Sequence, residues 1–211
     1  DLHLSLRRQR QMCIRDRAGE DSELAEIVSG MLCETCRAVR LSNTVRILLR
    51  LEREHVDLET LDLASVVDKA VILASEMCPD RSLNVQVNFS NGQFAVTGNR
   101  FLPEAICALI CTAVELSEDR QPRIVIEAKA VNDHVEMAIS DTGRTIPESE
   151  RAEAFHIGKI GMSRTMGQAL HMARLILHRC HGSVDFATGT EVKEGLRRRF
   201  VVTLKTARDS A

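Results

Sequence analysis

Apolar positions recur along this chain in two rhythms, and each predicts a different element. Between Glu20 and Glu54, Leu24, Val28, Met31, Thr35, Ala38, Ser42, Val45 and Leu49 follow one another at alternating steps of three and four. That spacing is a heptad seam and predicts one long helix whose stripe needs a partner to cover it. The stretch contains no proline and a single internal glycine, Gly30. Helical spacing returns at Leu61–Glu76, at Leu102–Leu116 (Leu102, Ile106, Leu109, Ile110, Ala113) and at Met166–Cys180. The rhythm shortens to two at Val135, where VEMAISD alternates and predicts a strand that delivers Asp141 at its carboxyl end. Ser183–Ala187 and Arg199–Leu204 predict two more strands.

The breaks between these runs carry their own signals. Gly143 relaxes the backbone just after Asp141. Pro147 with Glu148 suits the first turn of a short helix. His181-Gly182 ends the last helical run, with Gly182 placed as a left-handed cap. Together these elements predict an α/β domain preceded by the long seam helix.

Composition narrows the functional classes. With 211 residues the chain has room for one α/β domain and a helical element. A formal charge of −2 provides no strong field for nucleic acid or an anionic membrane. Trp and Tyr are absent, so no aromatic platform exists for stacking bases. No apolar run approaches the ~20 residues of a membrane helix. Seven cysteines without a secretory signal predict a reducing, cytoplasmic setting. Cys33 and Cys36 lie at i, i+3 of the seam helix, and Cys107 and Cys111 at i, i+4 of another. With no second C-x-x-C pair, all four are expected as small buried apolar side chains.

The segment Val135–Phe155, VEMAISDTGRTIPESERAEAF, resembles the adenine-binding strand and loop of sensor histidine kinases, where D-x-G-x-G-I-P precedes an acidic helix and a Phe. Four more segments follow that family's order. Asn99–Ser117 stands where the family has its Asn-bearing helix, N-L-L-x-N-A-x-K, and Ser163–Cys180 where it has G-T-G-L-G-L-A-I. His181-Gly182 and the two closing strands complete the likeness, which spans about residues 20–205. The resemblance implies the GHKL-type (Bergerat) ATP-binding domain over 59–211, an α/β fold in which a mixed sheet and helices form a two-layer sandwich. It also implies that 18–58 is the second helix of the dimerisation and phosphotransfer hairpin. Homodimerisation, a response-regulator receiver domain as partner, and ATP with magnesium as cofactor come with it. The implied activity is ATP:protein-histidine phosphotransfer.

Residue by residue, the resemblance gives Asp141 the role of accepting the adenine amino group, with Gly143 keeping room beside the base. Thr145 replaces the second glycine of that motif. Ala108 and Thr112 fall at the two Asn positions and Glu115 at the basic one, which leaves Thr112 as the one candidate magnesium ligand. In the phosphate loop, Gly167 matches a glycine, whereas Ser163 and Thr165 replace two others, with Arg164 as a substitute phosphate ligand. Arg197-Arg198-Arg199, where the family often has Gly-Thr-Thr, reads as a solvated charge run on an edge strand. No pattern like H-E-L-R-T-P occurs, so no phosphoaccepting His is assigned. These departures leave two readings open. One is the ATP-binding part of a sensor kinase with an impaired pocket. The other is a non-catalytic kinase-like scaffold or phosphotransfer module that dimerises and docks response regulators.

The first residues read differently. Arg7–Asp16, RRQRQMCIRD, back-translates to a sequence that resembles the transposase adapter of short-read libraries, and Asp1-Leu2-His3 fits the primer end upstream. Residues 1–17 are therefore expected to be adapter-derived and to take no part in the fold. On this reading the hairpin's first helix is missing, and the parent protein extends upstream, where a membrane anchor would lie.

Overall fold

The computed structural model describes residues 22–89, 94–155, 164–187, 191–192 and 195–207. The adapter-like residues 1–17 and Ser163 lie outside this set. Helix α1 runs Ser22–Arg53, followed by β1 (Glu59–Asp62), α2 (Leu63–Met77), β2 (Asn84–Phe89), β3 (Ala95–Gly98) and α3 (Leu102–Leu116). Strands β4 (Arg123–Val131) and β5 (His134–Asp141) come next, then helices α4 (Glu148–Ala154) and α5 (Arg164–Arg179). Strands β6 (Ser183–Phe186), β7 (Glu191–Val192) and β8 (Leu196–Lys205) close the chain.

The main sheet has the order β2-β4-β5-β8-β6, with β7 also paired to β8. Among the described residues β2 and β4 run parallel and the other pairs antiparallel, so the sheet is mixed as the resemblance implies. A separate antiparallel pair, β1 and β3, sits beside it. There Asp62 caps α2 by accepting hydrogen bonds from the backbone N–H and the hydroxyl of Ser65 at 3.1 and 2.9 Å.

Helix α3 is central. Its sequence, LPEAICALICTAVEL, is apolar almost all round, and such a helix needs cover on every side. It has α2 and α5 as neighbours, with the sheet beneath, and 12 of its 15 residues are buried. Helix α1 packs against α5 and α2 and adds Ile47 and Leu51 to the same core. Long side chains fasten α1 further. Arg40 pairs with Glu115 of α3, and its Nη1 also donates to Cys78 Sγ at 3.4 Å. At the other end, Arg50 lies over the Phe101 ring, 5.2 Å from its centroid, and Glu54 accepts from Arg100.

The seam divides from this packing. Met31, Thr35, Ala38, Ser42, Val45 and Leu49 are all exposed, with Met31 at 66%, while the opposite face of α1 meets the domain. Cys107 and Cys111 are buried as expected; Cys33 and Cys36 are only half-buried.

Two expectations are corrected. The left-handed residue ending α5 is His181 (φ 55°), and Gly182 follows it. His181 N–H bonds the His178 carbonyl and Gly182 N–H the Leu177 carbonyl, at 3.1 and 2.8 Å, which is the Schellman pattern with histidine at its left-handed position. Glycine is needed next because a Cβ on Gly182 would press into the Thr203 carbonyl oxygen. The second correction concerns the arginine run. Strand β8 is interior, with β5 on one side and β6 and β7 on the other, so Arg199 is not on a solvated edge but buried.

Candidate nucleotide site

Asp141 ends β5 just below the carboxyl end of α3 and is fully buried. Burying a carboxylate is costly unless it is paired and hydrogen-bonded. Its loop meets part of that need. Gly143 N–H donates to Asp141 Oδ1 at 2.7 Å, and Arg144 N–H donates to the Leu116 carbonyl at 2.9 Å. The loop is thus stitched to the end of α3. A Cβ on Gly143 would lie 2.9 Å from Asp141 Oδ1 and from the backbone C and O of Leu116. Glycine here serves close backbone approach.

The charge of Asp141 is met by Arg199. Arg199 Nε donates to Asp141 Oδ2, Nη2 donates to Oδ1 at 2.5 Å, and Nη2 also reaches the Arg144 carbonyl at 3.1 Å. A bulge makes this possible. Ile139 pairs with Phe200 but Ser140 pairs with Arg198, so Arg199 is an extra residue in β8. Inserted residues of this kind re-aim a side chain. Here Arg199 is 6% exposed and packed next to Phe200, which belongs to a ring cluster with Phe155 and Phe186.

The remaining candidates fall as follows. Thr145 is exposed, and its hydroxyl accepts from Arg197, a second tie between the same two segments. Thr112 is buried, and its hydroxyl donates to the Ala108 carbonyl one turn back at 2.8 Å. Glu115 is paired with Arg40. Arg164 opens α5 and Gly167 lies within its first turn, where open space surrounds the glycine. Asp141, Gly143 and Thr145 therefore share one loop below α3, whereas Arg164 and Gly167 sit at the start of a separate helix.

These residues do not fit magnesium. Ala108 brings no donor oxygen, the Thr112 hydroxyl is turned onto its own helix, and Glu115 already neutralises an arginine. Among the described residues no cluster of three His, Cys, Asp or Glu side chains is arranged to hold a metal ion. Asp141, the expected adenine acceptor, already accepts three hydrogen bonds, which fill most of its capacity.

Sequence reasoning missed two partners. Arg40 lies in the seam helix, and nothing in its spacing pointed at Glu115, 75 positions on. Arg199 sat in a run that read as solvated, and only the bulge turns it inward.

No protein-family model and no curated protein matches the sequence. Solved structures do match, histidine kinases among them. A mycobacterial sensor histidine kinase, MprB, superposes with a TM-score of 0.56 at 20% identity, covering 72% of this chain and 100% of that one. The Acinetobacter baumannii histidine kinase AdeS reaches 0.60 at 16% identity over 97% of this chain and 96% of its own. Full-length ShkA in complex with AMPPNP reaches 0.61 at 17% identity, over 88% of this chain and 40% of that one. The chain has the fold of the histidine kinase ATP-binding domain, with a helix before it. Among the described residues, no helix is long and apolar enough to cross a membrane.

Proposed function

We propose that this chain is the ATP-binding region of a two-component sensor histidine kinase, working in the cytoplasm with an impaired nucleotide pocket. The observation that carries the proposal is the place of Asp141: at the end of β5, in a D-x-G loop stitched to the carboxyl end of α3. The likeness to the kinase structures supports the same reading. Adenine recognition is the part of the chemistry these residues retain, and metal binding the part they lack. The exposed stripe Met31–Leu49 on α1 is the surface for a second copy, and a receiver domain is the signalling partner.

A second reading has its own observation. Arg199 on Asp141 and Arg40 on Glu115 occupy two positions that a nucleotide would use. A kinase-like scaffold that dimerises and docks receiver domains without turnover needs neither position free.

Titration calorimetry on the full chain separates these readings. Adenosine, ADP and ATP are each titrated with magnesium and with chelator. The impaired-kinase reading expects weak binding of all three, nearly independent of the metal. Tight binding of ATP that chelator abolishes overturns the impairment. No binding by any adenine ligand, even when Arg199 is replaced, favours the scaffold.

A further inference from the structure

We infer that Arg199 sets how tightly the base subsite holds its ligand: while its guanidinium holds Asp141, a purine bearing an amino group is bound only weakly. The inference rests on the nucleotide reading of the site and goes one step beyond it.

The reasoning is one of hydrogen-bond capacity. A carboxylate offers about four acceptor positions. On Asp141, Oδ1 accepts from Gly143 N–H and Arg199 Nη2, and Oδ2 accepts from Arg199 Nε. A guanidinium laid on both oxygens takes up the edge that an incoming amino group would use. The two-pronged, charge-assisted contact is also stronger than a neutral amino group donating to the same oxygens. Burial favours the resident further, because both partners are out of water and neither leaves without exposing the other's charge.

The guanidinium is also held in place. Its Nη2 reaches the Arg144 carbonyl, so it bonds both the carboxylate and the loop that follows. Arg197 holds Thr145 two residues away along the same strand, so the loop is tied to β8 twice. The β-bulge at Arg199 gives this strand its inward arginine. With the bulge closed, the alternation of β8 would present that position to the other face.

The test is calorimetry on the full chain with adenosine as the probe. Three proteins are compared: the unaltered chain, Arg199→Lys and Arg199→Gln. Arg199→Gln removes the resident charge, and adenosine is expected to bind about tenfold or more tightly. Arg199→Lys keeps a cation but not the two-pronged contact, and an intermediate gain is expected. If Arg199→Gln does not fold, as judged by circular dichroism, Arg199→Lys carries the comparison alone. Equal or weaker adenosine binding in the folded variants overturns the inference and leaves the nucleotide reading intact. Failure of every folded protein, unaltered chain included, to bind adenosine or ADP overturns both.

Discussion

Asp141 and Arg199 stand 58 positions apart in the chain, yet they form a two-pronged ion pair closed off from water at the end of the central strand. Each alone would be an uncompensated charge in the interior. Breaking such a pair from one side costs about 3–5 kcal/mol. Asp141→Asn and Arg199→Met are therefore each expected to lower stability by about that amount in urea unfolding. The double variant should lose less than the sum of the two, because it leaves no orphan charge. Additive losses would show that the two side chains are energetically independent.

Gly143→Ala is expected to destabilise by about 1–3 kcal/mol, the usual cost of forcing an extra carbon into packed space. Its Cβ would meet the backbone of Leu116 rather than a side chain that swings aside. Thermal melting reads this directly. A melting temperature equal to that of the unaltered chain would mean the loop is not stitched to α3 as described.

Glu104 supplies a pH-dependent prediction. Burial raises its pKa above the ordinary carboxylate value, and its Oε2 is buried without a hydrogen-bond partner. A raised pKa means the folded chain holds the proton more tightly than the unfolded chain does. Stability from this group is therefore fully present below the unfolded carboxylate pKa and is lost as pH rises through the folded one. Glu104→Gln should raise the melting temperature at pH 7, and the advantage should vanish on acidification below pH ~4. A variant less stable at neutral pH would reverse the sign and place the nearby arginines above burial as the dominant influence.

The stripe on α1 is open to solvent in the single chain. Val45→Asp or Met31→Asp should leave the melting of the domain nearly unchanged, since neither side chain is buried there. In light scattering after size exclusion, the unaltered chain is expected as a dimer and either variant shifted to monomer. A unaltered chain that stays monomeric at high concentration speaks against this stripe as the contact between copies.

The thiols should divide by burial. Cys78, Cys107 and Cys111 form a buried group, with sulfur separations of 3.8 Å (Cys78–Cys111) and 3.9 Å (Cys107–Cys111). The hydrogen bond to Cys111 and burial push the Cys78 thiol up, and burial raises Cys180 to about 11. Thiolates, not thiols, react with disulfide reagents. Cys33 and Cys36 should label first in native protein and the buried thiols only on unfolding, as peptide mass mapping would reveal.

What was legible in the sequence was whatever depended on local rhythm. The alternation of VEMAISD placed Asp141 at the end of its strand, and the apolar run Leu102–Leu116 placed α3 to the residue. Chain direction near Gly182 was read correctly as a helix stop, but the left-handed turn fell on His181, one residue earlier. Rhythm is blind to two kinds of event. A bulge breaks the period of two, so Arg199 read as one member of a charged run rather than an inward residue. Contacts between distant elements leave no period at all, and the Arg40–Glu115 pair is of that kind.

The burial of α3 on all sides limits what single substitutions can build there. Ala108 and Thr112 lie in densely filled space, so asparagine at either position would have to place an amide there before any ligand arrived to use it. Replacing Glu115 would strand Arg40 on the neighbouring helix. Each such substitution is unfavourable alone. A metal site on this helix would thus take several substitutions made together.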